Sequence, residues 1–98
     1  MAQYRSAVDI EFYGYVEEGD ENYHEVVLYQ GETFDLELEG EEEDVDLALV
    51  VTDEEDNVVY RDEDAEAGFR PGEDAVYRLW VKALDGEADY VLRVQERE

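Results

Sequence analysis

Phe34-Asp35-Leu36-Glu37-Leu38-Glu39 sets an apolar side chain at every second position, each followed by an acid. A period of two is the side-chain repeat of an extended strand, and it leaves one face apolar and the other charged. The rest of the chain repeats the pattern. Upstream, Val8, Ile10, Phe12 and Val16 alternate with Asp9, Glu11, Tyr13 and Tyr15, and Val26 and Leu28 alternate with Glu25, Val27 and Tyr29. Downstream, Leu47, Leu49 and Val51 lead through the acidic turn Asp53-Glu54-Glu55-Asp56-Asn57 into Val58-Val59-Tyr60, a hairpin pattern. Beyond a loop holding Gly68, Pro71 and Gly72, residues Tyr77, Leu79 and Val81 share one face, and a tight Asp85-Gly86 turn precedes Tyr90, Leu92 and Val94. No segment keeps a 3.6-residue apolar spacing. The sequence therefore predicts an all-β fold: an antiparallel, jelly-roll-like β-sandwich of seven or eight strands, forming one domain over residues 4–96. Phe12, Phe34, Leu36, Leu38, Leu47, Leu49, Leu79, Val81, Tyr90, Leu92 and Val94 are expected to point inward.

Around these strands lie 31 Asp and Glu against seven Lys and Arg in 98 residues, a formal net charge of -24. A folded chain of this mass exposes roughly 5,800 Å², which puts uncompensated negative charges on the order of 15 Å apart. The Debye length is about 10 Å at 0.1 M salt and about 3 Å at 1 M, so repulsion at that spacing is only partly screened in dilute salt and fully screened in molar salt. Acid excess with a single lysine, Lys82, is what adaptation to a high-salt environment predicts, with hydrated monovalent cations as partners of the surface. At 44% hydrophobic and 12% aromatic, the chain can still bury a core. Phosphate recognition needs a basic patch, so no nucleic acid and no anionic membrane is expected as a partner. The chain has no cysteine, which excludes disulfides and thiolate chemistry, and no apolar run of bilayer-spanning length.

Gly14-Tyr15-Val16 with the strand from Tyr23 to Gly31, the run Asp44-Val45-Asp46-Leu47-Ala48-Leu49-Val50-Val51, and the pair Tyr77-Arg78-Leu79-Trp80-Val81 and Tyr90-Val91-Leu92-Arg93-Val94 together resemble the bacterial pre-peptidase C-terminal domain. The resemblance implies a non-catalytic β-sandwich appended to secreted hydrolases, hence an extracellular location, with relatives that bind calcium, collagen or other extracellular polymers. This chain departs from that family in its scarcity of Ser, Thr and Asn, and in having Asp74-Ala75-Val76 where a glycine often precedes the penultimate tyrosine. Two readings stay open: a salt-adapted accessory module, and an engineered or stand-alone acidic sandwich with a structural role and no ligand.

Candidate sites are few. The single histidine, His24, and the single serine, Ser6, fall in different segments, which gives no nucleophile with a base in reach and no expectation of an enzyme. Calcium takes six to eight oxygen ligands in irregular geometry, and the acids Asp44, Asp46, Asp53 and Asp56 around one strand are the candidate set. Asp62, Asp64, Glu66 and Glu73 have part of a calcium-loop spacing but lack its glycine and its flanking helices. Aromatic rings opposite the core face offer stacking planes for a neutral extracellular polymer. Trp80 is the principal one, with Tyr13, Tyr15 or Tyr29 beside it if their strands adjoin.

Overall fold

The computed structural model describes residues 8–42, 44–61 and 68–97, and all seven strands expected from the alternation are present. They are β1 (Asp9–Val16), β2 (Glu21–Leu28), β3 (Phe34–Gly40), β4 (Asp46–Thr52), β5 (Val58–Arg61), β6 (Ala75–Asp85) and β7 (Ala88–Glu96). β2 begins well before its apolar pair, because its inner face opens with the polar Asn22 and His24. Two antiparallel sheets result, one of order β1-β7-β3 and one of order β2-β6-β4-β5. Early strands pair with late ones, the wrapped connectivity of a jelly roll. Phe69 adds an isolated antiparallel bridge to Phe34, on the side of β3 away from β7 and with both backbone bonds at 2.8 Å. A further strand of a jelly roll would run there.

Turn chemistry dictates the corners. Between β4 and β5 the Asp53 carboxylate accepts the backbone N–H groups of Glu55 and Asn57, both at 2.9 Å, while Asp56 takes a φ of 66°. These bonds fold the acidic run into a true hairpin. The Asp85-Gly86 turn is tight as expected, but it carries the chain from the four-stranded to the three-stranded sheet, so β6 and β7 do not pair. Gly86 supplies the left-handed backbone, φ 76°, and its N–H donates to Glu18 Oε1 at 3.0 Å. That bond draws the β1–β2 corner onto the β6–β7 corner and holds the Glu18 carboxyl below its ordinary pKa.

The inward set lies between the sheets. Phe34, Leu49, Leu79, Leu92 and Val94 are fully buried, Leu36, Val81 and Tyr90 are buried with them, and Phe12, Leu38 and Leu47 pack half-exposed against that core. A single layer of aliphatic residues, edged by the rings of Tyr60, Phe69 and Tyr77 in two edge-to-face contacts, thus offsets the ordering cost of a heavily charged chain. Leu49→Ala and Leu92→Ala should each cost about 2–5 kcal/mol as cavities. Val27→Thr, on an outward face, should stay within about 0.5 kcal/mol. Denaturant unfolding in concentrated KCl measures both, and a Leu49 variant as stable as the parent would contradict this register.

Candidate functional site

The outward face of the four-stranded sheet is built around β6, where Arg78, Trp80 and Lys82 alternate with the buried Tyr77, Leu79, Val81 and Ala83. Register places Trp80 opposite Tyr23 of β2 and opposite Val50 of β4. Residues directly opposite on one face pack side by side, and the Tyr23 and Trp80 rings meet with centroids 4.9 Å apart at 43°. The Trp80 indole N–H donates to Thr52 Oγ1 at 2.9 Å, which fixes the ring against β4. Arg78 lays its guanidinium 5.4 Å from the Tyr23 ring centre, a cation–π contact. Beside this assembly runs a shallow groove of about 430 Å³, lined by Glu21, Val50, Thr52, Asp56, Val58, Arg78, Trp80 and Lys82. Its charged residues stand in pairs, Lys82 with Glu21 at 3.3 Å and Arg78 with Asp56 at 3.4 Å.

The other expected rings lie elsewhere. Tyr13 and Tyr15 belong to β1 and point outward from the opposite sheet, so they do not extend the Trp80 platform. Among the described residues their strand pairs with β7 alone, and the body of the sandwich separates the two faces. Their hydroxyls donate to carboxylates, Tyr13 to Glu11 and Tyr15 to Glu87, and the second bond pushes the Tyr15 phenol up to about 12. Tyr29 sits half-buried one residue beyond β2. The ring that does join Trp80 is Tyr23, which the sequence shows only as a tyrosine next to a histidine. Its outward parity on β2 was available, but its pairing with β6 was not.

The four aspartates considered for calcium fall at the two ends of β4. Asp44 and Asp46 precede or open the strand, Asp53 and Asp56 follow it, and seven strand residues span about 23 Å. Asp53 turns its oxygens to its own hairpin, whose Asn57 N–H chiefly lowers its pKa, and Asp56 pairs with Arg78. Among the described residues no group of three or more His, Asp or Glu converges to hold a metal ion. Asp62, Asp64 and Glu66 lie outside the described residues, as does Ser6; Glu73 is described, and its backbone carbonyl accepts the Tyr77 hydroxyl at 2.8 Å.

His24 faces inward, stacked on Phe12 with centroids 4.7 Å apart and sharing a 2.7 Å hydrogen bond between Nε2 and the Tyr90 hydroxyl. Gly14, opposite Tyr90 in the sheet, makes room for that ring, since a Cβ there would stand 2.4 Å from the Tyr90 hydroxyl oxygen. Gly14→Ala should therefore displace Tyr90 from His24 and destabilise by about 1–3 kcal/mol. Burial holds the His24 imidazole below its ordinary pKa. The ordinary value is about 6.5; above it neither state is charged at His24, and below it the unfolded chain takes the proton first, so stability falls with pH until the folded pKa is passed. Thermal unfolding of the parent and of His24→Gln between pH ~7.5 and ~5.5 should diverge, with the parent losing ground; parallel curves would mean that the ring is solvated. No family model matches this chain and no curated protein matches it, so its functional reading rests on the residues of these faces.

Proposed function

We propose that the chain is a non-catalytic, salt-adapted accessory β-sandwich module of a secreted protein. It carries hydrated monovalent cations over its acidic faces and holds an extracellular polymer against Trp80. The observation that supports a binding role is the Tyr23–Trp80 pair, two rings kept on an outward sheet face with the indole tied down by Thr52 rather than turned into the core. Rings held in place lose little conformational freedom when a ligand stacks on them. The salt-adapted part rests on the net charge of -24, and the secreted, accessory part on the resemblance to the pre-peptidase C-terminal domain. A calcium ion held by the aspartates around β4 would sit at one end of the strand, with Asp44 and Asp46 or with Asp53 and Asp56, and would not bridge both.

Titration of the fold with salt tests the proposal. The unfolding midpoint should climb between about 0.1 and 2 M, equally for KCl and NaCl at matched concentration, because screening depends on ionic strength. A flat midpoint would remove salt adaptation. A rise at sub-millimolar calcium with little response to monovalent salt would replace screening with a specific divalent site.

A further inference from the structure

The groove beside Trp80 is electrically balanced in a chain that is far from balanced. Two cations and two acids rim it, Lys82 beside Glu21 and Arg78 beside Asp56. A third cation, Arg61, and a third acid, Glu25, are brought to the same sheet face by their pairing with Val50 and Arg78. The outward face of the three-stranded sheet differs: Asp9, Glu11, Asp35, Glu37, Glu39 and Asp89 outnumber Arg93, which meets Glu11, Glu37 and Glu39, and Arg97, which meets Asp35. A cationic ligand would be drawn to that acidic face, and a polyanion would be repelled by the molecule as a whole. A ligand selected by the Trp80 groove is therefore one for which net charge does not matter.

Resting on the polymer-binding reading above, we infer that the occupant is a neutral polysaccharide, bound through the apolar face of a pyranose ring and its adjacent hydroxyls. The two requirements come from different groups in the groove. Trp80, with Val50 and Val58, supplies an apolar, polarisable surface for the C–H face of a sugar, and Tyr23 packs against the Trp80 ring from the neighbouring strand. Each rim pair supplies a donor and an acceptor side by side. A sugar hydroxyl donates one hydrogen and accepts through its oxygen, so one hydroxyl can donate to the Glu21 carboxylate while its neighbour accepts from the Lys82 ammonium, and Asp56 with Arg78 can do the same on the other side of the ring. Such bonds are charge-assisted, and they leave the net charge of the site unchanged. Arg78 and Lys82 stand two residues either side of Trp80 on one strand, roughly 13 Å apart end to end, which suits a chain laid along β6 better than a single sugar. The volume of about 430 Å³ falls among those of small-ligand clefts.

Trp80 is the only tryptophan, so its fluorescence reports on this groove alone. The full chain should be titrated in concentrated KCl with soluble neutral glucan, xylan and mannan, and in parallel with a collagen-like peptide and with oligolysine, while sedimentation follows its mass. The inference expects an emission change with at least one neutral glycan, with an affinity that stays constant as KCl is raised. Asp56→Asn should weaken that binding by about tenfold or more, and Tyr23→Ala, which removes the ring packed on Trp80, should weaken it as well; because both side chains are exposed, both variants should remain folded in concentrated KCl, with any small loss of stability read from their unfolding curves. A response to collagen-like peptide without any glycan response overturns the sugar assignment and leaves the polymer-binding module standing. A response to oligolysine alone, lost as salt rises, overturns the assignment in favour of charge attraction. No response to any probe overturns both readings, and so does a Tyr23-dependent dimer, which would make the face a contact between copies.

Discussion

Repulsion among 31 carboxylates is the constraint that the rest of this structure answers, and the answer lies in strand order. The cations are unevenly placed along the chain: residues 1–60 hold 20 of the acids with Arg5 as their only cation, while the last 38 residues hold six cations. β1 to β4 come from the acidic part, β6 and β7 from the other. Wrapping the chain as a jelly roll puts β7 between β1 and β3 and puts β6 between β2 and β4. Arg93 on β7 then reaches Glu11 on one side and Glu37 and Glu39 on the other, and Lys82 on β6 reaches Glu21. A simple meander would instead set Glu11, Glu21, Glu25 and Asp35 on neighbouring strands. Like charges directly opposite one another destabilise a sheet, and exposed ion pairs contribute little by themselves. The gain is the acid–acid pairing that is avoided.

Neutral donors extend the same logic where cations run out. Tyr13 and Tyr15 give their hydroxyl hydrogens to Glu11 and Glu87, which anchors carboxylates without adding charge and raises both phenol pKa values. Backbone N–H groups do the same at the corners, toward Asp53 and Glu18. Inside, burial keeps the ionisable side chains neutral, holding the His24 imidazole below its ordinary pKa and the Tyr77 and Tyr90 phenols above theirs. Charge is thus confined to two outer faces and the loops, while a thin apolar layer holds the sheets together.

How much of this was legible follows from the range of each signal. Alternation is local, so all seven strands and their inward residues could be read from neighbours in sequence, and the Asp53–Asn57 hairpin could be read because its turn chemistry is local too. The start of β2 was harder to read, because Asn22 and His24 occupy inward positions without being apolar. Pairing is not local. Asp85-Gly86 looks like a hairpin turn, yet it joins two sheets, since the strands it connects each already lie between two partners. The same limit separated Trp80 from Tyr23, 57 positions apart in the chain but opposite in the sheet, and linked it on paper with Tyr13 and Tyr15, which occupy the other face. Asp44, Asp46, Asp53 and Asp56 look clustered in sequence, but an extended strand puts distance between its ends that a loop would not.

Recognition in concentrated salt has to work without long-range charge, and this limits what an acidic surface can do with its most abundant groups. At molar ionic strength a carboxylate is screened within about 3 Å, so steering and ion-pair affinity both fade beyond direct contact. Stacking and direct hydrogen bonds do not depend on that screening length. Under the proposed salt adaptation, a binding site is therefore best placed where rings can be exposed without unmatched charge around them, and where the charged groups that remain act at contact distance as donors and acceptors. In this fold that place is the centre of the four-stranded sheet: β6 brings its two cations to the rim, β2 and the β4–β5 turn bring one acid each, and Trp80 lies between them, fixed by Thr52. The strand order that relieves repulsion is also what leaves one neutral aromatic face on an otherwise acidic molecule.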